Sequence, residues 1–385
     1  MSAFISRKVQ GLAQSEIRRM TRESNRVNGI NLGQGICDLP TPPLVRDAAI
    51  QAILDRKSIY AYPEGIVELR EVISEKLQRD NNIQADPMSE IMVTTGSAGS
   101  FTCAITGLLN AGDGILIMEP YYGYHLNAAI VAGLEPHFLT LEPPDFTLYE
   151  EQLRASIKPN TRAVVVCTPS NPSGKMFSKE ELEVLAKVAK EKDLLVITDE
   201  IYEYIRYDGR EHISPATIDD LFERTVSIMG LSKTFSITGW RIGYAVAPKA
   251  MIEAMTLIHD LYYICAPTPL QHGVAAGFKA PQSFFESMQS DYERKRDMIT
   301  SALRDGGFTP IVPQGAYYML ADISHLEYPT AKDGAMDLLE RGGVASIPGS
   351  AFYRGETGEK LLRFCYAKED HVLEEACARI RNFSR

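Results

Sequence analysis

The sequence predicts an α/β protein, with a large unit built on a mostly parallel sheet flanked by helices and a smaller α+β unit. Two observations predict the large unit. Short apolar runs rich in β-branched residues alternate with helical stretches between residues 44 and 263, an order that builds parallel sheets. These runs are apolar at nearly every position, as strands covered on both faces are. A third observation predicts the small unit: after about Leu270 the alternation fades, and one long helix precedes three strand-like runs.

The composition is that of an ordinary globular protein. The 385 residues are 45% apolar and 23% charged, and the length alone suggests two or three domains. The formal net charge of −10 argues against nucleic acid as a partner. We expect no membrane partner, because no apolar run approaches the roughly 20 residues of a span, and the first ten residues do not resemble a signal peptide.

The cysteines and histidines indicate neither a disulfide framework nor a metal site. The six cysteines are spread along the chain without a CxxC pair, a pattern typical of reduced thiols in an intracellular protein. The seven histidines show no metal-ligand spacing. We therefore expect a cytoplasmic protein without a bound metal.

Hydrophobic periodicity predicts the individual elements. Apolar residues at helical spacing, among them Ile5, Leu12 and Ile17, predict one amphipathic helix over 4–23. Further helices are predicted over 44–54, 66–79, 101–109, 179–191, 250–263, 282–304 and 370–382. Strands are predicted over 91–95, 115–118, 163–167, 194–198, 225–229, 242–246, 317–321, 344–347 and 361–366.

The predicted elements divide into two domains. Residues 1–43 are expected to form an N-terminal arm and part of a small domain. Residues 44–275 are expected to form the large domain, and 276–385 the small C-terminal domain. The small domain is therefore expected to be built from both chain ends.

The stretch GLSKTFSITGWRIGY, residues 230–244, carries the strongest chemical signal. It follows a predicted buried strand and places Lys233 among small and hydroxyl residues, with Arg241 eight positions later. One interpretation of Lys233 is a surface lysine that extends its amine into water. The other is a desolvated amine with a lowered pKa, suited to a Schiff base.

Two polar stretches follow other predicted strands. Asp199 ends a buried strand in TDEIY, a common place for an active-site acid in parallel α/β folds. An N-cap of a following helix is the alternative. Asn171 lies in the turn sequence TPSNPSG, which is either an ordinary loop or a rigid turn that presents the amide to a ligand.

Two stretches of small residues are weaker signals. TTGSAGS, residues 94–100, lies between a predicted strand and a predicted helix. Small residues there let backbone N–H groups face an anion such as phosphate. Gly33-Gln-Gly35 has no surrounding βαβ unit and indicates little alone.

These stretches, in this order and spacing, resemble the class I (fold type I) aminotransferases that use pyridoxal 5′-phosphate (PLP). The resemblance covers about residues 30–380. The matching segments are SKTFSITGWRIGY, SNPSG, TDEIY, YAYPEGIVELR from Tyr60, PQGAYY from Pro313 and LRFCYA from Leu362. The resemblance implies the aspartate aminotransferase-like fold with a seven-stranded sheet, and a homodimer with active sites at the subunit interface.

The resemblance also implies an activity. Such an enzyme exchanges an amino group between an amino acid and a 2-oxo acid in a ping-pong cycle, within amino-acid metabolism and biosynthesis. Its partners are these small molecules and a second copy of the chain. The alternative on the same fold is a PLP-dependent C–S β-lyase or an aminocyclopropane carboxylate synthase-like lyase.

The resemblance assigns five residues to the cofactor ring. Lys233 is expected to form the Schiff base and to move the proton. Asp199 pairs with the pyridinium nitrogen, while Tyr202 and Asn171 hydrogen-bond the 3′-oxygen and Tyr122 stacks on the ring. Lys233, Asp199 and Tyr202 are the expected catalytic residues.

The resemblance places the phosphate on the backbone of Ser97 and Ala98 and on Arg241, a bidentate cation. Tyr60 is expected to reach the phosphate of the neighbouring subunit.

The resemblance assigns the substrate pocket to Arg363, Asn171 and Gly35. Arg363 is expected to clamp the α-carboxylate, and Gly35 lines the same pocket. Cys37 is expected beside it.

This chain departs from relatives at three places. At the stacking position many relatives have Trp or Phe, whereas this chain has Tyr122. Some relatives have Ser where this chain has Gly230, so that a phosphate contact is either missing or supplied by Ser236 or Thr95. After Gly35, aspartate-type relatives read Glu-Pro-Asp, whereas this chain reads Ile-Cys-Asp.

Overall fold

The computed structural model describes residues 4, 6–10, 12 and 15–383. Its strands are β1 Ile30–Asn31, β2 Ile91–Thr95, β3 Gly114–Glu119, β4 Glu135–Thr140, β5 Thr161–Cys167, β6 Leu195–Asp199, β7 Thr225–Gly230, β8 Ile242–Val246, β9 Thr309–Ile311, β10 Tyr318–Asp322, β11 Val344–Ala345, β12 Ile347–Pro348 and β13 Leu361–Cys365. Its α-helices are α1 Arg7–Gln10, α2 Glu16–Arg26, α3 Pro43–Leu54, α4 Val67–Lys76, α5 Gly96–Leu108, α6 Gly123–Ala132, α7 Glu150–Ser156, α8 Lys179–Glu191, α9 Lys249–Tyr263, α10 Thr268–Gly277, α11 Gln282–Asp305, α12 Ala331–Gly342 and α13 Asp370–Arg381.

The central element is a seven-stranded sheet in the order β2-β8-β7-β6-β5-β3-β4. Neighbours pair in parallel except at β8, which runs antiparallel to β2 and β7. The strands β2, β3, β7 and β8 are buried at almost every position, because helices cover both faces. The predicted α/β class and the mostly parallel seven-stranded sheet are confirmed.

Two smaller sheets accompany the large one. The antiparallel sheet β12-β13-β10-β9 lies in the C-terminal part. The other joins the two ends of the chain: β1 pairs in parallel with β11, with Ile30 opposite Val344. The Leu32 amide continues this pairing by donating to the Ala345 carbonyl oxygen, and the Leu32 carbonyl oxygen accepts from the Cys365 amide of β13. The segment that follows α2 therefore packs on the C-terminal part. The domain boundaries at 43/44 and 275/276 stay a prediction.

The prediction of a single helix over 4–23 is wrong. The structure has two helices, α1 and α2, and neither Leu12 nor Ser15 is helical. Ser15 begins α2 as its N-cap, since its side chain accepts a hydrogen bond from the Arg18 amide. Apolar spacing continues across this break, which is why the periodicity suggested one helix. Ile5 and Ala13 lie outside the described residues.

Several elements have no counterpart in the sequence prediction. Strand β4 is an edge strand whose sequence EPHFLT contains a proline, which weakens a strand pattern. Helix α10 begins with Thr-Pro and contains two glycines, residues that punctuate helical patterns. The other elements absent from the prediction are α6, α7, α12, β1 and β9.

The remaining observations on the fold concern membrane-spanning helices, metal ligands and cysteines. Over the described residues, no helix is both long and apolar enough to span a bilayer. The same part of the chain holds no group of three or more metal-ligating side chains. All six cysteines lie in the described part and are free thiols.

Candidate active site

One cavity of about 310 Å³ collects the predicted site residues. It lies where the parallel strands β5, β6 and β7 end, the edge at which α/β sheets bind ligands. The predicted residues that line it are Gly35, Ser97, Ala98, Tyr122, Asn171, Asp199, Tyr202, Lys233, Arg241 and Arg363. Tyr60 is not among them: it lies on the outer surface, with 76% of its area exposed.

Lys233 directs its amine into the cavity. Strand β7 ends at Gly230, and the turn that follows brings Lys233 Nζ to 3.5 Å from the carbonyl oxygen of Gly35. The amine also lies 5.8 Å from the centre of the Tyr317 ring. Burial lowers the pKa of Lys233 below its usual value, and the negative charge of Asp199 opposes that shift. The surface interpretation of Lys233 is therefore wrong, since its amine lines an interior cavity.

Asp199 lies at the last position of β6 and is almost fully buried. Its Oδ2 is 3.1 Å from His125 Nε2, and its Oδ1 accepts a long hydrogen bond of 3.4 Å from the Ile201 amide. A turn rather than a helix follows, over residues 201–204. The N-cap interpretation of Asp199 is therefore wrong.

His125 is a cavity residue that the sequence reasoning missed. It lies on α6, three positions after Tyr122, and is buried. Its ring lies 4.6 Å from that of Phe101 and meets Tyr122 edge to face at 5.3 Å. An ionised carboxylate can only accept, so a hydrogen bond of His125 to an ionised Asp199 has the imidazole as its donor. The missed signal was a histidine one helical turn from a predicted stacking ring.

Arg363 is buried and held from several directions. Its Nη1 donates to Asn171 Oδ1 at 3.0 Å, and its Nη2 donates to the Gly33 carbonyl oxygen at 2.5 Å. The guanidinium lies between the rings of Tyr318 and Phe352, 4.5 and 4.7 Å from their centres. A guanidinium carries five N–H groups, four of them on its two terminal nitrogens. Arg363 uses one on each terminal nitrogen in these two bonds, so two remain for a ligand. Asn171 keeps its amide donors for a ligand.

A pair of tyrosines lies beside this arginine. Tyr202 donates to the Tyr318 hydroxyl at 3.2 Å. Burial raises the pKa of Tyr202 well above its usual value and that of Tyr318 to about 12. Both hydroxyls are therefore protonated at neutral pH and can donate.

Gly35 has no room for a side chain. A Cβ at this position would lie 1.9 Å from Tyr318 Oη. The backbone of Gly35 therefore forms the cavity wall, and its carbonyl oxygen accepts from Lys233 and, at 3.4 Å, from Tyr317.

Another part of the cavity, at the start of α5, has the groups that bind anions. Helix α5 begins there at Gly96, and Thr95 gives it no side-chain cap, so the first N–H groups of Ser97 and Ala98 stay available. Arg241 lies against this helix start, because a Cβ on Gly96 would be 2.5 Å from its Nη2. A helix N-terminus beside a guanidinium suits a phosphate.

The structure explains why glycine stands at 230. A Cβ there would lie 2.6 Å from Ser97 Oγ, which donates to the Met229 carbonyl oxygen at 3.1 Å. Ser97 thus occupies the space that a side chain at 230 needs. Of the two predicted substitutes for a serine at 230, Ser236 contacts Cys37 Sγ at 3.0 Å instead. The other, Thr95, has a buried Oγ1 without a partner among the described residues.

Comparison with known proteins assigns the family. Residues 27–380 match the family described as aminotransferase class I and II. An aromatic-amino-acid aminotransferase of Thermococcus litoralis is 34% identical over 380 residues, which is 98% of this chain and 97% of the relative. An aspartate aminotransferase of Pyrococcus abyssi is 36% identical over 359 residues, 92% of each chain. Both relatives are named as aminotransferases, so the comparison does not favour the lyase alternative.

The fold comparison agrees. The structure of N-succinyldiaminopimelate aminotransferase from Mycobacterium tuberculosis superposes with a TM-score of 0.95 at 31% identity, covering 99% of this chain and 100% of that one. The fold is that of the aspartate aminotransferases. Members of this family depend on PLP and are transaminases. The chain belongs to the class I and II aminotransferase family and is a PLP-dependent aminotransferase.

Proposed function

We propose that Lys233 is the residue that bonds PLP, and that the enzyme exchanges an amino group between an amino acid and a 2-oxo acid in a ping-pong cycle. The observation that carries this proposal is the position of Lys233 Nζ. It lies in a cavity that has a buried carboxylate, Asp199, and an anion site formed by α5 and Arg241.

The residues present fit the cofactor. We propose that the phosphate binds the Ser97 and Ala98 amides and Arg241. Asp199 would pair with the pyridinium nitrogen, since a buried carboxylate needs a cation. Among the described residues, the one side chain that hydrogen-bonds Asp199 is His125.

Three further residues complete the proposed cofactor site. Tyr122 would stack on the ring, and Asn171 would donate to the 3′-oxygen. Tyr202 would hydrogen-bond the same oxygen by turning its O–H away from the Tyr318 hydroxyl, to which it donates at 3.2 Å. The protonated Tyr202 hydroxyl and the uncommitted Asn171 amide support this assignment. When bound, PLP supplies the aldehyde that takes the amino group and a ring that withdraws electrons from the substrate Cα.

The remaining steps belong to the chain itself. Arg363 binds the substrate α-carboxylate with its uncommitted N–H groups and thereby orients Cα. The lowered pKa of Lys233 increases the fraction of neutral amine near neutral pH. Its Nζ then accepts the proton from Cα and returns it when the 2-oxo acid reacts in the second half of the cycle.

Replacing Lys233 tests this function. Lys233→Ala is expected to abolish turnover with every donor, because the base and the point of attachment disappear together. Lys279→Ala, which removes an amine away from the cavity, is the matched control and should leave turnover unchanged. Substantial transamination by Lys233→Ala would refute the assignment.

We also propose a homodimer. Five large apolar side chains, here called the apolar face, have more than 70% of their area exposed: Ile59, Tyr60, Tyr62, Leu257 and Leu261. The two segments that carry them meet where His259 Nδ1 lies 3.0 Å from the Pro63 carbonyl oxygen. Clusters of exposed apolar side chains mark interaction sites. The Thr268 hydroxyl donates to the Ile59 carbonyl oxygen at 2.7 Å and fixes part of this face. A second copy would cover the face, and Tyr60 would reach the partner's phosphate site.

Two broader assignments complete the proposal. We propose the large domain over 44–275 and the small C-terminal domain over 276–385. Residues 1–43 would form an N-terminal arm and part of the small domain, which the pairing of β1 with β11 supports. The free thiols support a cytoplasmic location, with a role in amino-acid metabolism and biosynthesis. Cell fractionation tests the location.

A further inference from the structure

The charges that line the cavity are few. Among the described residues, the charged lining side chains are Asp199, Lys233, Arg241 and Arg363, with His125 beside the first of them. The proposed function uses all four: Asp199, Lys233 and Arg241 hold the cofactor, and Arg363 holds the α-carboxylate. This inference rests on that proposal. Among the described residues of one subunit, no lining cation is then left for a second carboxylate, and no lining anion for a cationic side chain.

The uncharged part of the lining is apolar and aromatic. Ile17 of α2, Ile36 of the loop after β1, and Tyr124 of α6 all line the cavity. Ile36 and Tyr124 are 39% and 53% exposed, so each offers surface to a ligand. The Tyr124 ring stacks on Tyr122 at 5.1 Å with an interplanar angle of 21°. A substrate side chain bound here exchanges contact with water for contact with carbon atoms. This exchange favours an apolar group and disfavours an unpaired carboxylate.

The loop that carries Ile36 is held in place. The Lys368 amine donates to the Asp38 carboxylate and, at 3.5 Å, to the Ile36 carbonyl oxygen. The Asp38 amide donates to the Ala367 carbonyl oxygen at 3.3 Å. Lys368 is itself buried and paired, so it does not supply the missing cation. The backbone at Ile36 is therefore anchored, and its side chain lines the cavity.

We propose that the side-chain subsite of this enzyme takes a large uncharged apolar side chain, aromatic or long aliphatic, and that Ile36 is a specificity-determining residue. The names of the relatives do not decide this point. The aromatic-amino-acid and the aspartate enzymes match this chain at 34% and 36% identity.

The first test is the half-reaction of the holoenzyme with a donor alone. Wild-type enzyme is mixed with phenylalanine, leucine, aspartate or alanine, and the cofactor absorbance is followed without any 2-oxo acid. We expect the second-order rate constant for phenylalanine to exceed that for aspartate at least about tenfold, since burying an unpaired carboxylate costs more than 1.4 kcal/mol. Aspartate reacting as fast as phenylalanine would overturn the proposal.

The control donors separate this inference from the proposed function. If no donor changes the absorbance, including alanine, the proposed function fails. If alanine and aspartate react but phenylalanine and leucine do not, only the subsite assignment fails. Calorimetric binding of 3-phenylpropionate and succinate gives a second readout, in which tighter binding of succinate would contradict the apolar subsite.

A charge introduced at Ile36 tests the residue itself. Ile36→Lys places a cation in the subsite and is expected to raise the aspartate-to-phenylalanine ratio of half-reaction rate constants by about tenfold or more. Ile36→Leu keeps the apolar surface and should leave the ratio near wild type. Val312→Lys adds the same charge at an exposed position outside the cavity. An equal change of ratio in this variant, or no change in Ile36→Lys while it still binds PLP, would refute the role of Ile36. If Ile36→Lys does not fold, Tyr124→Lys carries the same test from α6.

Discussion

His125 Nε2 lies 3.1 Å from Asp199 Oδ2, so that the buried carboxylate expected to hold the cofactor nitrogen is itself oriented by an imidazole. The relationship joins α6 to the end of β6. We expect His125 to be a positioning residue, which acts on the cofactor nitrogen through Asp199.

Removing this imidazole should weaken catalysis without abolishing it. A hydrogen bond to a charged group contributes about 1.5–3 kcal/mol, so His125→Phe should lower kcat/KM by about 10- to 100-fold. Asp199→Ala should lower it further. Steady-state kinetics measures the loss, and titration of the cofactor absorbance with pH reports whether the ring nitrogen loses its proton more easily. An unchanged absorbance titration in His125→Phe would contradict the positioning role.

The lowered pKa of Lys233 predicts a pH-dependent stability in enzyme freed of cofactor. Because burial penalises the charged amine, the unfolded chain binds more protons than the folded one between the two pKa values, and stability at this residue rises with pH there. Lys233→Met should therefore increase the free energy of unfolding at neutral pH. The gain should disappear as the pH passes the ordinary lysine value of about 10.4.

Denaturant unfolding of wild type and Lys233→Met across this pH range measures the effect. Lys279→Met is the control for the loss of a lysine outside the cavity. A stability gain in Lys233→Met that stays constant with pH would show that packing, rather than the buried charge, is its cause.

Gly230 and Ser97 should behave as a coupled pair. Gly230→Ser places its Cβ against Ser97 Oγ, and overpacking of this kind costs about 1–3 kcal/mol. Ser97→Gly removes that oxygen, so the double variant should recover part of the loss. Thermal unfolding and PLP affinity of the four proteins form a double-mutant cycle. Additive effects would contradict the close approach of the two residues.

The proposed contribution of Tyr60 across the dimer can be tested with hybrids. Lys233→Ala and Tyr60→Ala should each be nearly inactive at limiting PLP. If Tyr60 acts on the partner's site, hybrids hold one intact site, and random reassembly into two-fold dimers should restore about a quarter of wild-type activity. A mixture of Lys233→Ala with Arg241→Ala should restore none, since both residues act in the same subunit. Equal recovery in the two mixtures would refute the proposed arrangement.

Sequence reasoning succeeded where one local signal sufficed. The strands β5 and β7 are continuous apolar runs, and a run of that kind is buried in a parallel sheet whatever its neighbours. Lys233 and Asn171 follow such strands, so their convergence on one edge could be expected from the sequence. Ten of the eleven predicted residues line one cavity, and their roles stay a prediction.

Sequence reasoning failed where contacts between distant parts of the chain determine the role of a residue. His125 is a lone histidine in an apolar helix, and its importance depends on Asp199, which lies 74 residues away. The edge strand β4 lacks an apolar run, because its positions alternate between buried and partly exposed. The reason for Gly230 depends on Ser97, which reaches it from another element. None of these relationships has a local sequence signature.

The central claim is that Lys233 alone bonds the cofactor, and the most direct measurement is the site of covalent attachment. The holoenzyme is reduced with borohydride, digested, and the modified peptide is identified by mass spectrometry. We predict that the pyridoxyl group is found on Lys233, in the peptide that contains SKTFSITGW, and is absent from Lys233→Ala. A pyridoxyl group on another lysine of the wild-type enzyme, with Lys233 unmodified, would contradict the account.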